Sequence, residues 1–469
     1  MKGLRNLLFI SLLIVISAAT SCISDEITDS PDAKLSFSAD TVNFGTLFTQ
    51  MISPTARLVV HNPNNKGVIL SSIRFRSSQT PFRLNIDGVS GSEFRDIQIR
   101  AKDSIYVFID CNPVENESNL PKLLSDKLDF ELNGITRSVE VEAWGWNVTR
   151  LHNMTITEDI TFTSDNPYIV FDTLLVKKDA TLTLAPGTRL FFHDGAKLKI
   201  EGNIIAQGDP DNFIRMSGDR LDDILPDVPY DILAGQWEGI EIGSGSYDNR
   251  LEYVDMRSTS MGIRIDSCGN LEKQKLTLIN CWLHNSQSNV LNSLYSKTDA
   301  YGCCFSDAGD AVVSLTGGEH HFVQCTIANY YLFSALYRPN LMLNHCLEKE
   351  ATPENKNPLM KASFENGIIW GEIGSPLAPG DLEGSDVYMR YMLLKADGSD
   401  DNNFIRCIWN EDPLFYTDRS DYYFNYRLQP DSPAFGMGNP AYVTPEVLTD
   451  MDGLNRLANG NPALGAYSN

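Results

Sequence analysis

The sequence is poor in positive charge and has no long apolar run beyond its first 20 residues. Its 469 residues include 38 Lys and Arg against 61 Asp and Glu, a formal charge of −23. Nucleic acids and anionic membranes bind clustered basic side chains, so this excess of acid argues against either as the main partner. A membrane-spanning helix needs roughly 18 or more apolar residues, and no stretch after residue 20 approaches that length.

Zinc-binding patterns are also missing from the sequence. Nine cysteines occur, but none stands in a CxxC pair or in the Cys/His spacing of a zinc site. Hydrophobic residues make up 42% of the chain and charged residues 21%, which is ordinary for folded globular proteins. The sequence therefore predicts an ordered protein with no metal site of this type.

The N-terminus resembles a targeting signal. Basic residues precede an apolar run over residues 7–16, which is too short to cross a bilayer and is typical of a secretory signal. Residues 19–21 (ATS) stand directly before Cys22, and this arrangement resembles a bacterial lipobox. The resemblance implies that residues 1–21 are a signal peptide and that Cys22 is lipidated. Ordinary secretion with a chance cysteine is the alternative.

The next segment, residues 22–34, is polar and is expected to be a tether. Residues 23–26 (ISDE) resemble the acidic export signal of surface lipoproteins from Bacteroidota. The resemblance implies a protein that is lipid-anchored in the outer membrane and exposed at the cell surface. A lipid anchor without a basic patch fits a body standing off the membrane.

Residues 35–148 predict an antiparallel β-sandwich. At least seven short alternating runs are separated by turn clusters such as residues 62–65 (NPNN). Residues 42–45 (VNFG), 61–63 (HNP) and the closing 139–145 (VEVEAWG) resemble Hydin-type Ig-like domains. The resemblance implies a spacer or a binding module, and we expect a rigid stalk.

Residues 150–469 predict a solenoid, because large apolar residues recur there every 21 to 23 positions. Taking Cys281, Cys304, Cys325 and Cys346 as anchors, an apolar residue stands three positions before each one. Met256, 25 positions upstream of Cys281, continues the anchors, and Tyr253, Leu278, Tyr301, Phe322 and Leu343 form this second column. Both columns can face one interior only if a two-residue bend separates two strands. The pattern therefore predicts a right-handed parallel β-helix with these five side chains stacked in a dry core.

The bends are expected to hold polar residues, among them Asn280, Gln324, Asn366 and Arg406. Stacked cysteines behave as small apolar residues, so we expect free thiols rather than disulfides, although a strained bridge between adjacent coils remains an alternative. The pair His320-His321 precedes Phe322. One histidine is expected to point inward and the other outward.

Both ends of this region resemble a known family. Residues 169–176, 180–188, 195–208 and 236–240 look like the opening coils of surface lipoproteins in the pectate-lyase-like superfamily. Residues 426–438, 450–456 and 464–467 look like the closing segment of the same proteins. The resemblance implies the β-helix fold but no activity, since this fold hosts lyases, hydrolases and binding proteins.

The catalytic motifs of that superfamily are missing. The hydrolase branch shows NTD, GHG and RIK, and one lyase branch shows RxPxxR; none occurs here, and the nearest string is RID at residues 264–266. Other lyase branches have looser motifs. A polysaccharide lyase or glycoside hydrolase therefore stays an alternative, and whether the protein is an enzyme stays open, with a non-enzymatic protein favoured.

Alternation around the anchors predicts that Trp282, His284, Phe305 and Asp307 face outward. An aromatic ring beside His and Asp could hold a sugar by stacking and hydrogen bonds, so these four are the candidate glycan-binding residues. Ca²⁺ held by Asp307 with Asp310, or by residues 397–401 (DGSDD), is a weaker alternative, and we expect no cofactor. Residues 422–426 (YYFNY) are expected to cap the last coil.

The expected function is therefore that of a monomeric surface lipoprotein that engages polysaccharide or another glycan. A purely structural adhesin or scaffold is a further alternative. The sequence leaves open the identity of the glycan and of any partner protein.

Overall fold

A computed structural model describes residues 26–225, 228–347, 361–373, 377–378 and 386–468. Within these ranges the regular structure is almost entirely strand, as predicted, with three short 3-10 turns at Tyr230–Ile232, Pro440–Tyr442 and Pro445–Val447. None of the helical segments in the described ranges could cross a bilayer. The signal peptide and Cys22 lie outside the described residues. The chain divides into two compact units between Asn147 and Val148.

The first unit contains two β-sheets. The five-stranded sheet has the order Ser36–Phe37, Ala56–His61, Ser104–Cys111, Phe82–Ile86, Val89–Gly91. The other sheet has the order Thr41–Phe48, Ile135–Trp146, Lys122–Leu132, Val68–Phe75, Glu93–Phe94, and Ile97–Ile99 also pairs with Val68–Phe75. All pairs are antiparallel except Thr41–Phe48 with Ile135–Trp146, which is parallel.

One apolar core joins these two sheets. Alternate residues such as Leu58 and Val107 of the first sheet and Phe130 and Val141 of the second are fully buried in one cluster. Each such side chain contributes about 1.5–3 kcal/mol by leaving water. Asn62, from the predicted turn, is also buried, and its amide donates to the carbonyls of residues 66, 99 and 100. The turn is therefore tied to the core.

The second unit consists mainly of three long parallel sheets, named A, B and C here. Sheet A has the strands Thr149–His152, Tyr168–Phe171, Arg189–Phe192, Ile214–Gly218, Val254–Thr259, Trp282–Ser286, Cys304–Ala308, Thr326–Asn329, Ile368–Gly371, Leu393–Leu394 and Ile408–Trp409. Sheet B has Thr155–Ile156, Thr173–Val176, Lys197–Ile200, Gly239–Ile242, Ile263–Ile265, Leu291–Leu294, Val313–Thr316, Leu341–Asn344 and Leu377–Ala378. Sheet C has Ile160–Phe162, Thr181–Leu184, Asn203–Gln207, Asn249–Glu252, Leu276–Ile279, Lys297–Tyr301, Glu319–Val323, Lys361–Glu365, Asp386–Arg390 and Phe404–Ile405.

Up to Asp386–Arg390 the chain visits the three sheets in the repeating order A, B, C, so each of these coils adds one strand to each sheet. A separate hairpin, Asp223–Leu225 with Val228–Pro229, lies in the long connection before Gly239–Ile242. Stacked parallel sheets built in this order are consistent with a β-helix.

The interior of the coils is apolar, but its register differs from the predicted one. The register of sheet C aligns Leu251, Leu278, Ala300, Phe322, Phe364 and Met389 in one buried column. Tyr253 and Tyr301 are only partly buried and lie outside this column, and Leu343 is buried in sheet B opposite Leu315. Three of the five predicted side chains are therefore interior, and the prediction of a single superimposed column was wrong.

The error has a simple source in coil length. Trp282 pairs with Cys304, so Cys281 corresponds to Cys303 and the coil is 22 residues long. The next coil is longer. Thr326 pairs with Ile368, so Cys325 corresponds to Gly367, and the extra residues lie in the long connections on either side of Leu341–Asn344. The true interior thiol column is Cys281, Cys303 and Cys325, and Cys304 faces the opposite side of sheet A. The eight cysteines of the described ranges are free thiols.

The corner from sheet C to sheet A is a two-residue bend, placed one residue later than predicted. Its first position holds Tyr253, Asn280, Gly302, Gln324, Asn366, Tyr391 and Arg406, each with a left-handed φ between 48° and 66°. Asn tolerates this conformation better than most residues, and Gly adopts it without strain. The prediction that Asn280, Gln324, Asn366 and Arg406 occupy bends is confirmed.

Candidate functional site

The four predicted glycan-binding residues do not form an exposed stripe. Phe305 pairs with Leu283 and is fully buried in the coil interior, so the prediction that it faces outward was wrong. The reason is the 22-residue coil, which shifts its register by one position. Asp307 is outside the interior cluster but is only 1% exposed. A bound sugar would need an open surface, and the surface is closed at both positions.

Asp307 is closed off by the C-terminal segment, residues 411–468. The hydroxyl of Tyr426 donates to both Asp307 carboxylate oxygens, at 2.6 and 2.7 Å, and the backbone N–H of Tyr330 donates to Oδ1 at 3.0 Å. Burial raises the pKa of Asp307 to about 6. This carboxyl therefore anchors the segment and is unavailable to a large ligand.

The later strands of sheet A carry apolar residues on their outer face, and the C-terminal segment covers them. Cys304, Ala328, Ile368 and Leu393 of the sheet share one buried cluster with residues of the segment, which include Phe415, Tyr426, Leu428, Met451, Leu464 and Tyr467. The predicted role of residues 422–426 as a cap on the last coil was wrong. Tyr422 and Tyr423 are exposed, and Tyr426 packs against the side of sheet A.

On earlier strands of the same outer face, Trp282 and His284 belong to a largely buried polar network. Their rings stack with centroids 4.1 Å apart, and His284 Nε2 lies 3.2 Å from Asp255 Oδ1. Arg257 donates to Asp255 and also pairs at 3.3 Å with Asp231, which the 3-10 turn Tyr230–Ile232 supplies. The network therefore fixes the insertion that contains this turn onto sheet A.

The shifted pKa values of His284 and Asp255 keep each of these groups in one protonation state near neutral pH. Burial, followed by the charge of Arg257, lowers the pKa of His284 to about 4. Although burial opposes ionisation of Asp255, the charge of Arg257 and the hydrogen bond with His284 hold the pKa of Asp255 well below its usual range. Near neutral pH the network is a neutral imidazole beside paired ions, and we assign it a structural role.

The outer face of sheet C presents a different surface. Four consecutive strands, Lys297–Tyr301, Glu319–Val323, Lys361–Glu365 and Asp386–Arg390, pair in strict register, with alternate residues pointing inward. The outward residues form three columns along the stack: Lys297, Glu319, Lys361, Asp386; Asp299, His321, Ser363, Tyr388; and Tyr301, Val323, Glu365, Arg390. The first two columns line an open groove of about 560 Å³, which we call the sheet C groove.

The first column of the groove is a ladder of alternating charge. Glu319 lies between two lysines, with Lys297 Nζ at 3.8 Å and Lys361 Nζ at 3.3 Å. All three side chains remain more than 30% exposed. Such ion pairs add little stability at a surface, and their unused hydrogen-bonding capacity is available to a ligand.

The second and third columns are linked by a chain of ionisable groups. Arg390 donates to buried Glu365 at 2.9 Å, Glu365 Oε2 lies 3.3 Å from His321 Nε2, and His321 Nδ1 lies 3.4 Å from the Tyr301 hydroxyl. The contact with Glu365 raises the pKa of His321. Burial raises the pKa of Asp299, the residue paired with His321 on the next strand. A concave site with pKa values shifted by specific neighbours is a candidate functional site.

An aromatic ring completes the groove. Tyr388 is partly exposed in the column of His321, and the guanidinium carbon of Arg390 lies 4.4 Å from the Tyr388 ring centroid. The cation lies against the ring and steadies its orientation. The prediction that one of His320 and His321 points inward and the other outward is confirmed, with His320 inward and His321 outward. The sequence-based prediction missed Tyr388, Asp299 and Glu365. The signal was the polar alternation in KTDAY, EHHFV, KASFE and DVYMR.

The predicted calcium ligands are engaged by the chain itself. Asp310 pairs with Arg338 at 3.7 Å. Asp400 accepts hydrogen bonds from the backbone N–H groups of residues 406 and 407 and from the Trp409 indole. Within the described ranges no three His, Cys, Asp or Glu side chains converge as a metal site.

Comparison with known proteins shows no family for this chain. No protein-family model matches it, and no curated protein does. Among solved structures it is similar to a protein of unknown function from Porphyromonas gingivalis W83 (12% identity, TM-score 0.19, 26% of this chain and 48% of that one). It is also similar to PapD-like domain 7 of human CEP192 (15%, 0.17, 26% and 89%) and to a family 123 glycoside hydrolase from Clostridium perfringens that hydrolyses glycolipid glycans (8%, 0.18, 25% and 30%).

These similarities are too weak to support an argument about function. This chain covers about half of the first of these structures and less than a third of the hydrolase.

Proposed function

We propose that this protein is a cell-surface lipoprotein whose second unit is a right-handed parallel β-helix of the pectate-lyase-like type, and that it engages glycan through the sheet C groove. The repeating visit of the chain to sheets A, B and C supports the β-helix. In this proposal the first unit is an Ig-like stalk, residues 22–34 are the tether, and Cys22 carries the lipid in the outer membrane.

The observation that carries the proposal is that charged side chains and an aromatic ring line the same groove. Sugars offer hydroxyl groups that both donate and accept hydrogen bonds, together with apolar ring faces. The charge ladder offers donors and acceptors side by side, and Tyr388 offers a ring for stacking. Binding without catalysis is the form of the proposal that agrees with the missing catalytic motifs.

A glycan array of neutral and charged polysaccharides, followed by calorimetry on the hits, tests this proposal. We expect Tyr388→Ala to weaken binding about tenfold, because truncating an aromatic contact residue costs more than about 1 kcal/mol. The matched control is Tyr423→Ala, since Tyr423 is 53% exposed and lies outside the groove. Binding that survives Tyr388→Ala unchanged would remove the groove as the site. No binding by any glycan would favour a structural adhesin.

A polysaccharide lyase is a second candidate, and one observation favours it. The groove places lysines beside His321, and His321 lies against the buried carboxylate of Glu365. A lyase needs a base for the proton next to a uronate carboxylate and a cation to neutralise that carboxylate. Formation of the unsaturated product, followed by its absorbance and lost in His321→Gln, would establish the enzyme. Binding without turnover would leave the non-enzymatic proposal.

The anchor is tested separately. In a bacterial host that lipidates exported proteins, the Cys22→Ala variant should move from the membrane fraction to the soluble fraction, because a lipid chain is what holds the protein. Retention of the variant in the membrane fraction would contradict lipidation at Cys22.

A further inference from the structure

Two titratable side chains stand next to each other in the sheet C groove. Asp299 and His321 are register partners on neighbouring strands, which lie about 4.8 Å apart in a sheet. Both line the groove. Burial raises the pKa of Asp299, and the contact with Glu365 raises the pKa of His321. Both groups therefore hold their protons to a higher pH than in water.

The setting of His321 explains why it favours the protonated form. Its Nε2 atom lies 3.3 Å from Oε2 of Glu365, and Glu365 is only 2% exposed. Among the residues that the structure describes, no well-aligned hydrogen bond reaches this oxygen. A buried carboxylate oxygen is costly to leave unsatisfied, so a charged imidazolium beside it is stabilised. Arg390 neutralises part of the same carboxylate from the other side.

Protonation of this pair reverses the charge of the groove. With Asp299 ionised and His321 neutral, two lysines face three carboxylates, those of Asp299, Glu319 and Asp386. With both groups protonated, three cations face two carboxylates. Glu365 and Arg390 pair with each other and leave the balance unchanged. The lining thus changes from one excess negative charge to one excess positive charge.

We propose that the sheet C groove is a proton-gated site, which binds a sugar chain bearing negative groups when Asp299 and His321 are protonated and releases it when they lose their protons. This proposal rests on the proposed glycan-binding function and adds the ligand charge and its regulation. The shared ligand chemistry is an anionic substituent, sulfate or carboxylate.

The other ionisable groups around the pair belong to this balance. On the strand of Asp299 they are Lys297 and Tyr301, and on the strand of His321 they are Glu319 and inward His320. The strand Lys361–Glu365 adds Lys361 and Glu365, and the strand Asp386–Arg390 adds Asp386, Tyr388 and Arg390. Glu446 and Cys325 lie near Tyr301. His320 is interior, and burial lowers its pKa to about 4, so it stays neutral over the relevant range. Asp299 and His321, which both line the groove, have pKa values raised above their usual values.

The test compares dextran sulfate with dextran between pH 5 and pH 8 by calorimetry at fixed ionic strength. Sulfate esters keep their charge over this range, so any pH response belongs to the protein. We expect dextran sulfate to bind at least tenfold more tightly at pH 5 than at pH 8, with no such change for dextran. Polygalacturonate in a parallel series distinguishes carboxylate from sulfate.

Two variants test whether the pH response comes from Asp299 and His321 rather than from the overall charge of the protein. Asp299→Asn removes one negative charge and should tighten dextran sulfate binding at pH 8, while His321→Gln should weaken binding at pH 5; each should flatten the pH response. The matched control is His193→Gln, since His193 pairs with Asp219 away from the groove and its variant should keep the full response. A response that is equal in wild type and His321→Gln would overturn the gate.

The outcomes also distinguish the two proposals. Glycan binding that depends on Tyr388 but shows no dependence on pH or sulfate would overturn the gate and leave the proposed function standing. Failure of every glycan to bind at every pH would overturn both.

Discussion

The outer faces of sheets A and C belong to the same coils but have opposite chemistry. On the later strands of sheet A, outward residues such as Ile368 and Leu393 are apolar and lie under the C-terminal segment. Outward residues of sheet C, such as Lys361 and His321, are charged and line an open groove. The polarity of the outward positions, rather than the presence of an aromatic residue, indicates which face of a solenoid meets solvent and ligands.

The largest expected effect on stability comes from placing a charge at an inward position of sheet C, compared with the same charge at an outward position. Phe322 is 1% exposed in the interior column of sheet C, so Phe322→Asp would bury a carboxylate and should cost several kcal/mol. We expect the thermal transition of the second unit to be lost. The matched control Ser363→Asp places the same charge at an outward position and should stay within about 1 kcal/mol of wild type. Equal melting curves for the two variants would contradict the register.

A smaller effect is expected when the covered face is opened. Ile368 is 1% exposed between sheet A and the C-terminal segment, and Ile368→Asp should weaken that contact by about 3 kcal/mol. Hydrogen–deuterium exchange should then rise in residues 411–468 while the sheet C strands stay protected. Exchange that rises equally in both regions would mean that the segment and the coils form one cooperative unit.

The next effect concerns the pH dependence of the covered face. Burial raises the pKa of Asp307 from 3.8 to about 6, so this group favours folding fully below pH 4 and its contribution is lost as the pH rises to 6. The loss amounts to about 3 kcal/mol, since one pKa unit corresponds to about 1.4 kcal/mol. Asp307→Asn should remove this loss, so the variant should gain stability relative to wild type between pH 4 and pH 7.

Denaturant unfolding of the two proteins across that range measures the difference directly. If their stability curves run parallel, Asp307 titrates as it would in water, and the C-terminal segment does not bury this carboxyl.

The smallest effect is expected at the open face. Lys361→Ala removes an ion pair with Glu319 in which both side chains are more than a third exposed, and such pairs are worth about 0–1 kcal/mol. The free energy of unfolding should change by less than about 0.5 kcal/mol, although ligand binding should fall. A larger loss of stability would mean that the ladder is structural rather than available to ligands.

The coil architecture could be predicted from the sequence because its signals are local. Polar residues at the bends, such as Asn280 and Asn366, and apolar residues every 21 to 23 positions suffice for stacked parallel strands. The exact register could not be predicted, because the doublet Cys303-Cys304 offers two equivalent anchors and only the neighbouring strands choose between them.

The site was harder to predict because its groups come from four separate coils. Glu365 and His321 are 44 positions apart in the chain and meet only when Lys361–Glu365 pairs with Glu319–Val323. Equally, nothing local to Trp282 or Asp307 reveals that a segment more than 100 residues later covers that face. The predicted site residues came from the outward positions of sheet A, whereas the candidate groove lies on the outward positions of sheet C.

The most direct test of the account is a map of hydrogen–deuterium exchange with and without a bound glycan from the array. The account predicts that protection on binding is confined to Lys297–Tyr301, Glu319–Val323, Lys361–Glu365 and Asp386–Arg390. Protection confined to sheet A and the C-terminal segment, with these four strands unchanged, would contradict it.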